Sequence, residues 1–317
     1  MSVGATWADG FRRVRRAPAL LLMLWGATLV VTIPPAVFLR DAIRTHLGSS
    51  LEAETAADAV NYDWMQEFRA SAGPLGRTLR PDVIGFAAVM DNTSALADVA
   101  PRSMVMLASG GLFIALLWFL TPGIIYRLAA DRPLHGGGFF GTCGAFLFRM
   151  LRLSLVSTLV YAVLFGAFHE WLFGNVLESL TRNMTVERSA FFVRLACYGL
   201  FLGLVAMFNL LFDFARVRLV VEDRHSLVAS IAAGGRFIRS HARLAAGVYA
   251  LNIGTLGVVL AAYAMVAPGA GGAGWGMWAG FAVSQAFILA RLAVKLSFWG
   301  GEISALQTEL AYPGFVR

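Results

Sequence analysis

The chain has 317 residues, 58% of them hydrophobic and only 14% charged. A soluble domain carries about 25% charged residues, so an ordinary water-soluble globule is excluded. The net charge of +7 raises nucleic acid as a partner. The arginines alternate with phenylalanine and leucine beside long apolar runs, however, which favours a membrane surface and no nucleic acid.

Residues 1–16 form a basic amphipathic segment with Arg12, Arg13, Arg15 and Arg16 at its end. A cleaved signal peptide has an apolar core of about 7–15 residues closed by small residues. Here the apolar run continues through Pro34 and Pro35 to Leu39. The expectation is an uncleaved signal anchor, with a first span at Ala17–Leu39.

Residues 40–102 are the only sizeable segment outside the predicted membrane. Ser49 followed by Glu52 reads as a capping box opening a helix over Leu51–Ala70, with Val60, Trp64 and Phe68 at helical spacing. Gly73-Pro74 ends it. Pro81 opens a second helix, Asp82–Met90, and Asp91-Asn92-Thr93-Ser94 a third. So small a core is marginal alone, so a helical extracytoplasmic cap leaning on the spans is expected. A lid or docking role stays open beside a structural one.

The remaining spans follow from charge-free runs, the weakest being the 17 residues Leu153–His169 that precede Glu170. Arg102 and Arg127 bracket 24 such residues, Arg194 and Asp213 bracket 18, and Arg243 and Arg291 bracket 47. About 20 apolar residues cross roughly 30 Å of hydrocarbon. The predicted spans are Ser103–Tyr126, Leu153–Phe173, Phe191–Phe214, Leu244–Val266 and Trp275–Ser297. Between them lie a cytoplasmic amphipathic segment 127–152, an outer loop 174–190, a cytoplasmic amphipathic helix 215–243 and an outer turn 267–274. Residues 298–317 are read as a cytoplasmic tail. With the N-terminus inside, the inner segments and inner span ends sum to +10 and the outer ones to −3, matching the net charge. Arginine excess sets orientation, so both termini are placed in the cytoplasm of a bacterial inner membrane. Cys143 and Cys197 then lie near opposite faces, too far apart for a disulfide.

A shift of 91 residues aligns Arg127-Leu128 with Arg218-Leu219, Asp131 with Glu222, Gly144 with Gly235, Phe146 with Phe237 and Arg152-Leu153 with Arg243-Leu244. The chain therefore reads as an all-α membrane protein with six transmembrane helices in three pseudo-repeated units, each an amphipathic helix followed by a helical hairpin. In one such helix Leu227, Ile231, Phe237 and Ile238 oppose Arg236, Arg239 and Arg243. In the other, Phe139, Phe140 and Phe146 accompany Arg149 and Arg152. Helices of this kind lie in the interface with arginines among lipid phosphates. These five arginines are the candidate contacts for anionic head groups at the cytoplasmic face. The alternative is that they only anchor the spans that follow.

The stretch Arg216-Val217-Arg218-Leu219-Val220-Val221-Glu222-Asp223-Arg224, with Ser226 and Gly235-Arg236-Phe237-Ile238-Arg239-Ser240-His241, resembles a family of uncharacterised bacterial polytopic inner-membrane proteins. The layout is similar to the membrane domain of some glycerophosphodiester phosphodiesterases. The resemblance covers most of the membrane part and implies no catalytic residue. The outer segment 40–102 departs from that layout.

The sequence carries no H-E-x-x-H, Walker A or G-x-S-x-G motif, so no catalytic residue, cofactor or metal site is assigned. The histidines are scattered, and Gly136-Gly137-Gly138 reads as a link. Polar groups inside spans are few and informative. Asn209, Asp213, Asn252, Gln285 and Arg291 form a candidate intramembrane polar cluster, with Asp213 facing Arg291. The competing arrangement pairs Asp213 with Arg216 one turn on. Gly199 and Gly203, and Gly276 and Gly280, offer close-packing faces for spans four and six. Two functions are carried forward. One is a membrane scaffold or accessory subunit engaging lipid, a partner protein or a second copy. The other is a transporter or lipid-handling protein with a polar site between spans four, five and six. A polar cavity reaching Asn252 and Gln285 favours the second; a dry, filled core favours the first.

Overall fold

The computed structural model describes residues 2–58, 61–80, 83–269 and 274–309. Val60, Pro81 and Asp82, and tail residues 310–317, lie outside them. The described chain is helical, with no strand among the described residues. Six of its helices are long and apolar enough to cross a membrane, in keeping with a multi-pass membrane protein.

Helix α1 (Val3–Arg15) is capped by Ser2, whose hydroxyl accepts the Ala5 N–H at 3.3 Å. The first long helix, α2 (Pro18–Leu47), opens on a proline at its first turn, where the missing N–H costs nothing. It runs through Pro34-Pro35 and eight residues past its predicted end. Short helices α3 (Ala53–Asp58), α4 (Tyr62–Ser71) and α5 (Phe86–Ala97) follow. Asn61, not Ser49, caps the helix that carries Trp64 and Phe68: its side chain accepts the Trp64 N–H at 3.0 Å. The predicted Leu51–Ala70 helix is therefore split. Trp64, Met65 and Phe68 pack with Leu39, Ile43 and Leu47 on the overrun of α2. Asp91 to Ser94 sit inside α5 and open no helix of their own. Asp91 receives Arg80 at 3.2 Å and Arg102 at 2.9 Å.

Helix α6 (Met104–Ala130) is capped by Ser103 and closed by Asp131 in the left-handed region. The predicted glycine link is instead the first turn of α7 (Gly136–Val163), so the amphipathic segment and third span are one continuous helix. Two π turns, Leu164–Phe168 and Trp171–Val176, extend it into α8 (Leu177–Thr181). Helix α9 (Glu187–Val221) is longer than its span, and α10 (Leu227–Ser240) is a separate helix capped by Ser226. A bend at His241 leads into α11 (Ala242–Val266). Last comes α12 (Trp275–Glu309), which absorbs most of the predicted tail.

One end of the bundle gathers α1, α10, the start of α2, α7 and α11, and the end of α6, α9 and α12. It holds the main core, including Leu24, Ile124, Leu128, Met150, Leu153, Phe214, Leu219, Leu296 and Ile303. Arginines tie its helix ends: Arg16 to Asp131 at 2.6 Å, Arg149 to Asp223 at 2.6 Å, and Arg13 to the Leu128 carbonyl at 2.9 Å. We refer to this as the basic end. Away from it, Val30, Ile33, Leu112, Leu159, Leu202 and Val258 are exposed, as expected for faces meeting hydrocarbon rather than water.

The amphipathic helices do not lie free. Phe237 of α10 is buried against Phe214 at 4.9 Å between ring centroids, and Gly234 lets α10 approach the α9 backbone. The small-residue faces also differ from expectation. A Cβ on Gly199, Gly203 or Gly276 would meet nothing within 4 Å, and one on Gly280 would meet Pro268. The close glycine contact is between α1 and α12, at Gly10, Gly300 and Gly301.

Candidate functional site

The core of the basic end contains a polar seam. Helical spacing puts Asn209, Asp213 and Arg216 on one face of α9 and Tyr249 and Asn252 on one face of α11. Ser297, Trp299 and Glu302 come from α12, and Ser157 and Tyr161 from α7. Arg216 donates to Asp213 at 2.5 Å, and the Trp299 indole N–H donates to the same carboxylate at 3.3 Å. Asn209 donates to Asp213 at 3.3 Å and to the Tyr249 hydroxyl at 3.1 Å, while Tyr161 donates to Asn209 at 3.4 Å. Arg216 reaches the Ser157 hydroxyl at 3.5 Å. The Asp213 side chain is 1% exposed, yet it has both a counter-charge and neutral donors. That combination is what a buried carboxylate requires.

Glu302 has neither. It is 3% exposed, and both carboxyl oxygens lack a hydrogen-bond partner. The charged groups acting on it are Asp213 and Arg216 of α9 and Lys295 of its own helix. Lys295 is turned over the Trp299 ring, 5.0 Å from its centroid. Asn252, one helix away, accepts the Ser297 hydroxyl at 2.9 Å, but its buried amide nitrogen is also unpartnered. Glu302, Asn252 and Tyr249 border a void together with Leu210, Phe214 and Val248. The void is too narrow to admit a water molecule. A buried unpaired carboxylate costs several kcal/mol, and such groups inside spans mark ion or proton sites by default.

The seam therefore unites Asn209, Asp213 and Asn252 of the expected cluster and leaves two members out. Gln285 accepts the Trp25 indole N–H at 2.8 Å and joins α12 to α2. Arg291 lies over the Phe287 ring at 5.7 Å, facing a recess formed with α5 and α11. The expected pairing of Asp213 with Arg291 is replaced by Asp213 with Arg216, because three residues along one helix bring those groups together without crossing the bundle. Glu302 falls in the segment 298–317 that the sequence reads as a tail. The available signal was the apolar stripe Leu296, Trp299, Ile303 and Leu306, which continues at helical spacing beyond Ser297.

A second polar feature lies between α9 and α10. Arg218, Arg236, Phe237, Arg239, Ser240 and His241 line a recess of about 540 Å³. Arg236 and Arg239 are exposed, as are Arg243 and Arg152 outside it, whereas Arg149 is engaged with Asp223.

The fold and seam define a six-helix membrane-type bundle with a sealed polar core at one end. Comparison with protein-family models, characterised proteins and solved structures gives no match, so function is argued from the site's own chemistry.

Proposed function

We propose that the protein is a transporter-type membrane protein, closed in this conformation, whose site between α9, α11 and α12 takes a proton or an ion as small as sodium. The observation that carries this is Glu302: a carboxyl group sunk in the core with no donor on either oxygen is completed by a cation. Asn209, Asp213, Tyr249 and Asn252 supply polar groups along the same seam, and polar groups between spans suit a transport pathway. Occupation of Glu302 would relieve its unpaired charge and favour the closed packing; loss of the ion would favour opening. We further place α1 and α10 on the cytoplasmic side of a bacterial inner membrane from the charge split. Residues 40–102 then form an outer cap, and three related units build the chain.

The test is flux into liposomes containing the purified protein, driven by a membrane potential, with proton-sensitive and sodium-sensitive dyes in separate arms. Wild-type protein should raise flux in one arm above protein-free liposomes, and Glu302→Gln should abolish the rise. Equal flux with and without Glu302 would remove the basis of the reading.

One observation favours the scaffold or accessory-subunit reading instead. The void beside Glu302 and Asn252 does not admit water, and it does not extend to Gln285, which is bonded to α2. Wild-type flux at the protein-free level, with a partner protein co-purifying from native membrane, selects that reading.

A further inference from the structure

We propose that the recess between α9 and α10 is a binding site for the phosphate group of an anionic lipid, with Arg218 at its floor and Arg236 and Arg239 at its rim. The proposal is independent of the cation site.

Arg218 is the informative residue. It is only 7% exposed, and its guanidinium lies over the Phe237 ring at 5.5 Å. One nitrogen donates to Glu222 at 2.8 Å, but its buried Nε has no partner. Glu222 is shared with Arg224, a second ion pair on the same carboxylate. Arg224 and Arg236 both act on Arg218 as like charges. One carboxylate therefore serves a group of arginines, and the recess opens where positive charge is in excess. A planar guanidinium with an unused N–H is suited to a tetrahedral oxyanion, and exposed arginines at the rim can close on its other oxygens.

The surroundings select a lipid over a soluble ion. Phe237 and Ala233 give the recess an apolar wall, and Val228 stands exposed on α10 two turns away. The site lies at the end of α9, a helix long and apolar enough to cross a membrane; such a crossing would set the recess near the phosphates above the acyl chains.

Purified protein is exchanged into mixed micelles containing phosphatidylglycerol and phosphatidylcholine, and retained lipid is counted by native mass spectrometry. Wild type should retain phosphatidylglycerol selectively. The Arg236→Gln/Arg239→Gln pair should weaken retention roughly thirtyfold, from two lost contacts near an anionic surface. Arg15→Gln/Arg132→Gln, two exposed arginines outside the recess, should leave it unchanged. Both rim arginines are exposed, so the variant should keep the wild-type melting temperature. Arg236→Lys/Arg239→Lys, which keeps the charge, should recover part of the retention. Equal loss in the two glutamine pairs would mean a diffuse basic surface, and no loss in either would mean no lipid at this site; both overturn the proposal. Inorganic phosphate displacing the lipid completely at millimolar concentration also overturns it, because the site would then recognise the free ion.

Discussion

Gly10 of α1 and Gly301 of α12 are in backbone contact: a Cβ on Gly10 would fall 2.6 Å from the Gly301 nitrogen. This contact seats α1 on the final turns of α12, so the segment read as basic and amphipathic is packed into the bundle against α12 and α11. Gly10→Val should force the two helices apart and destabilise the protein by about 1–3 kcal/mol or more. Gly4, whose added Cβ would meet nothing within 4 Å, is the control: Gly4→Ala should stay within about 0.5 kcal/mol of wild type. Thermal unfolding in detergent reads both, and equal melting temperatures for all three proteins would mean the contact does not hold the end of the bundle.

Asp213 and Arg216 form an ion pair inside the seam. Removing either charge leaves the other buried, so Asp213→Asn and Arg216→Gln should each destabilise by about 3–5 kcal/mol. The double change should cost less than the sum, because it removes both charges. The same cycle with Arg291→Gln should be additive, since Arg291 lies over Phe287 and faces a different recess. Coupling between Asp213 and Arg291 in that second cycle would contradict the observed pairing.

The spans were legible because hydrocarbon thickness imposes a length on charge-free runs, and no partner is needed to see it. Their ends were not. The last predicted span ends at Ser297, but Gly300 and Gly301 admit the α1 backbone, and the helix runs on to Glu309. Glu302 was lost with that boundary. Asn209, Asp213 and Asn252 were legible as a group because polar residues are rare in spans. Gln285 and Arg291 have the same composition signal, but their directions around α12 differ, and depth alone does not fix rotation. Ser49 and Glu52 had a capping spacing, yet α2 runs on to Leu47 and Asn61 caps the helix carrying Trp64. The arginine recess was half legible: Arg236 and Arg239 stood out on α10, while Arg218 belonged by sequence to the end of a span.

The charge split predicts which ends of the bundle share a compartment. Reporter fusions at residues 140 and 230, both beside the basic end, should read cytoplasmic; those at 70 and 180 should read periplasmic. The arginines of α1, α7 and α10 drive this through the excess of basic residues on the inner side. Neutralising Arg12, Arg13, Arg15 and Arg16 together should weaken the bias and give mixed readouts at residue 70. A cytoplasmic readout at residue 70 in the unmodified chain would overturn the orientation.

Asp9 gives the seating of α1 a pH dependence of definite sign. Burial pushes its carboxyl up, but Arg13, Ser304 and Arg12 together outweigh burial and hold it below the ordinary carboxylate value. Arg13 is 2.8 Å away and Arg12 3.2 Å, while Ser304 belongs to α12, so the charged form of Asp9 also fastens α1 to its neighbour. A carboxyl depressed on folding contributes stability that is present above its unfolded value, about 4. That contribution is lost as pH falls through the lower folded value. Ion pairs with partial solvent access contribute up to about 1 kcal/mol. Asp9→Asn should therefore melt below wild type at pH 7, and the gap should close as pH is lowered through the range below about 4. The comparison uses thermal unfolding in a non-ionic detergent, whose own charge does not change over that range. A gap that persists unchanged at pH 3 would show that the asparagine disturbs packing and that the Asp9 charge contributes nothing to the α1–α12 contact.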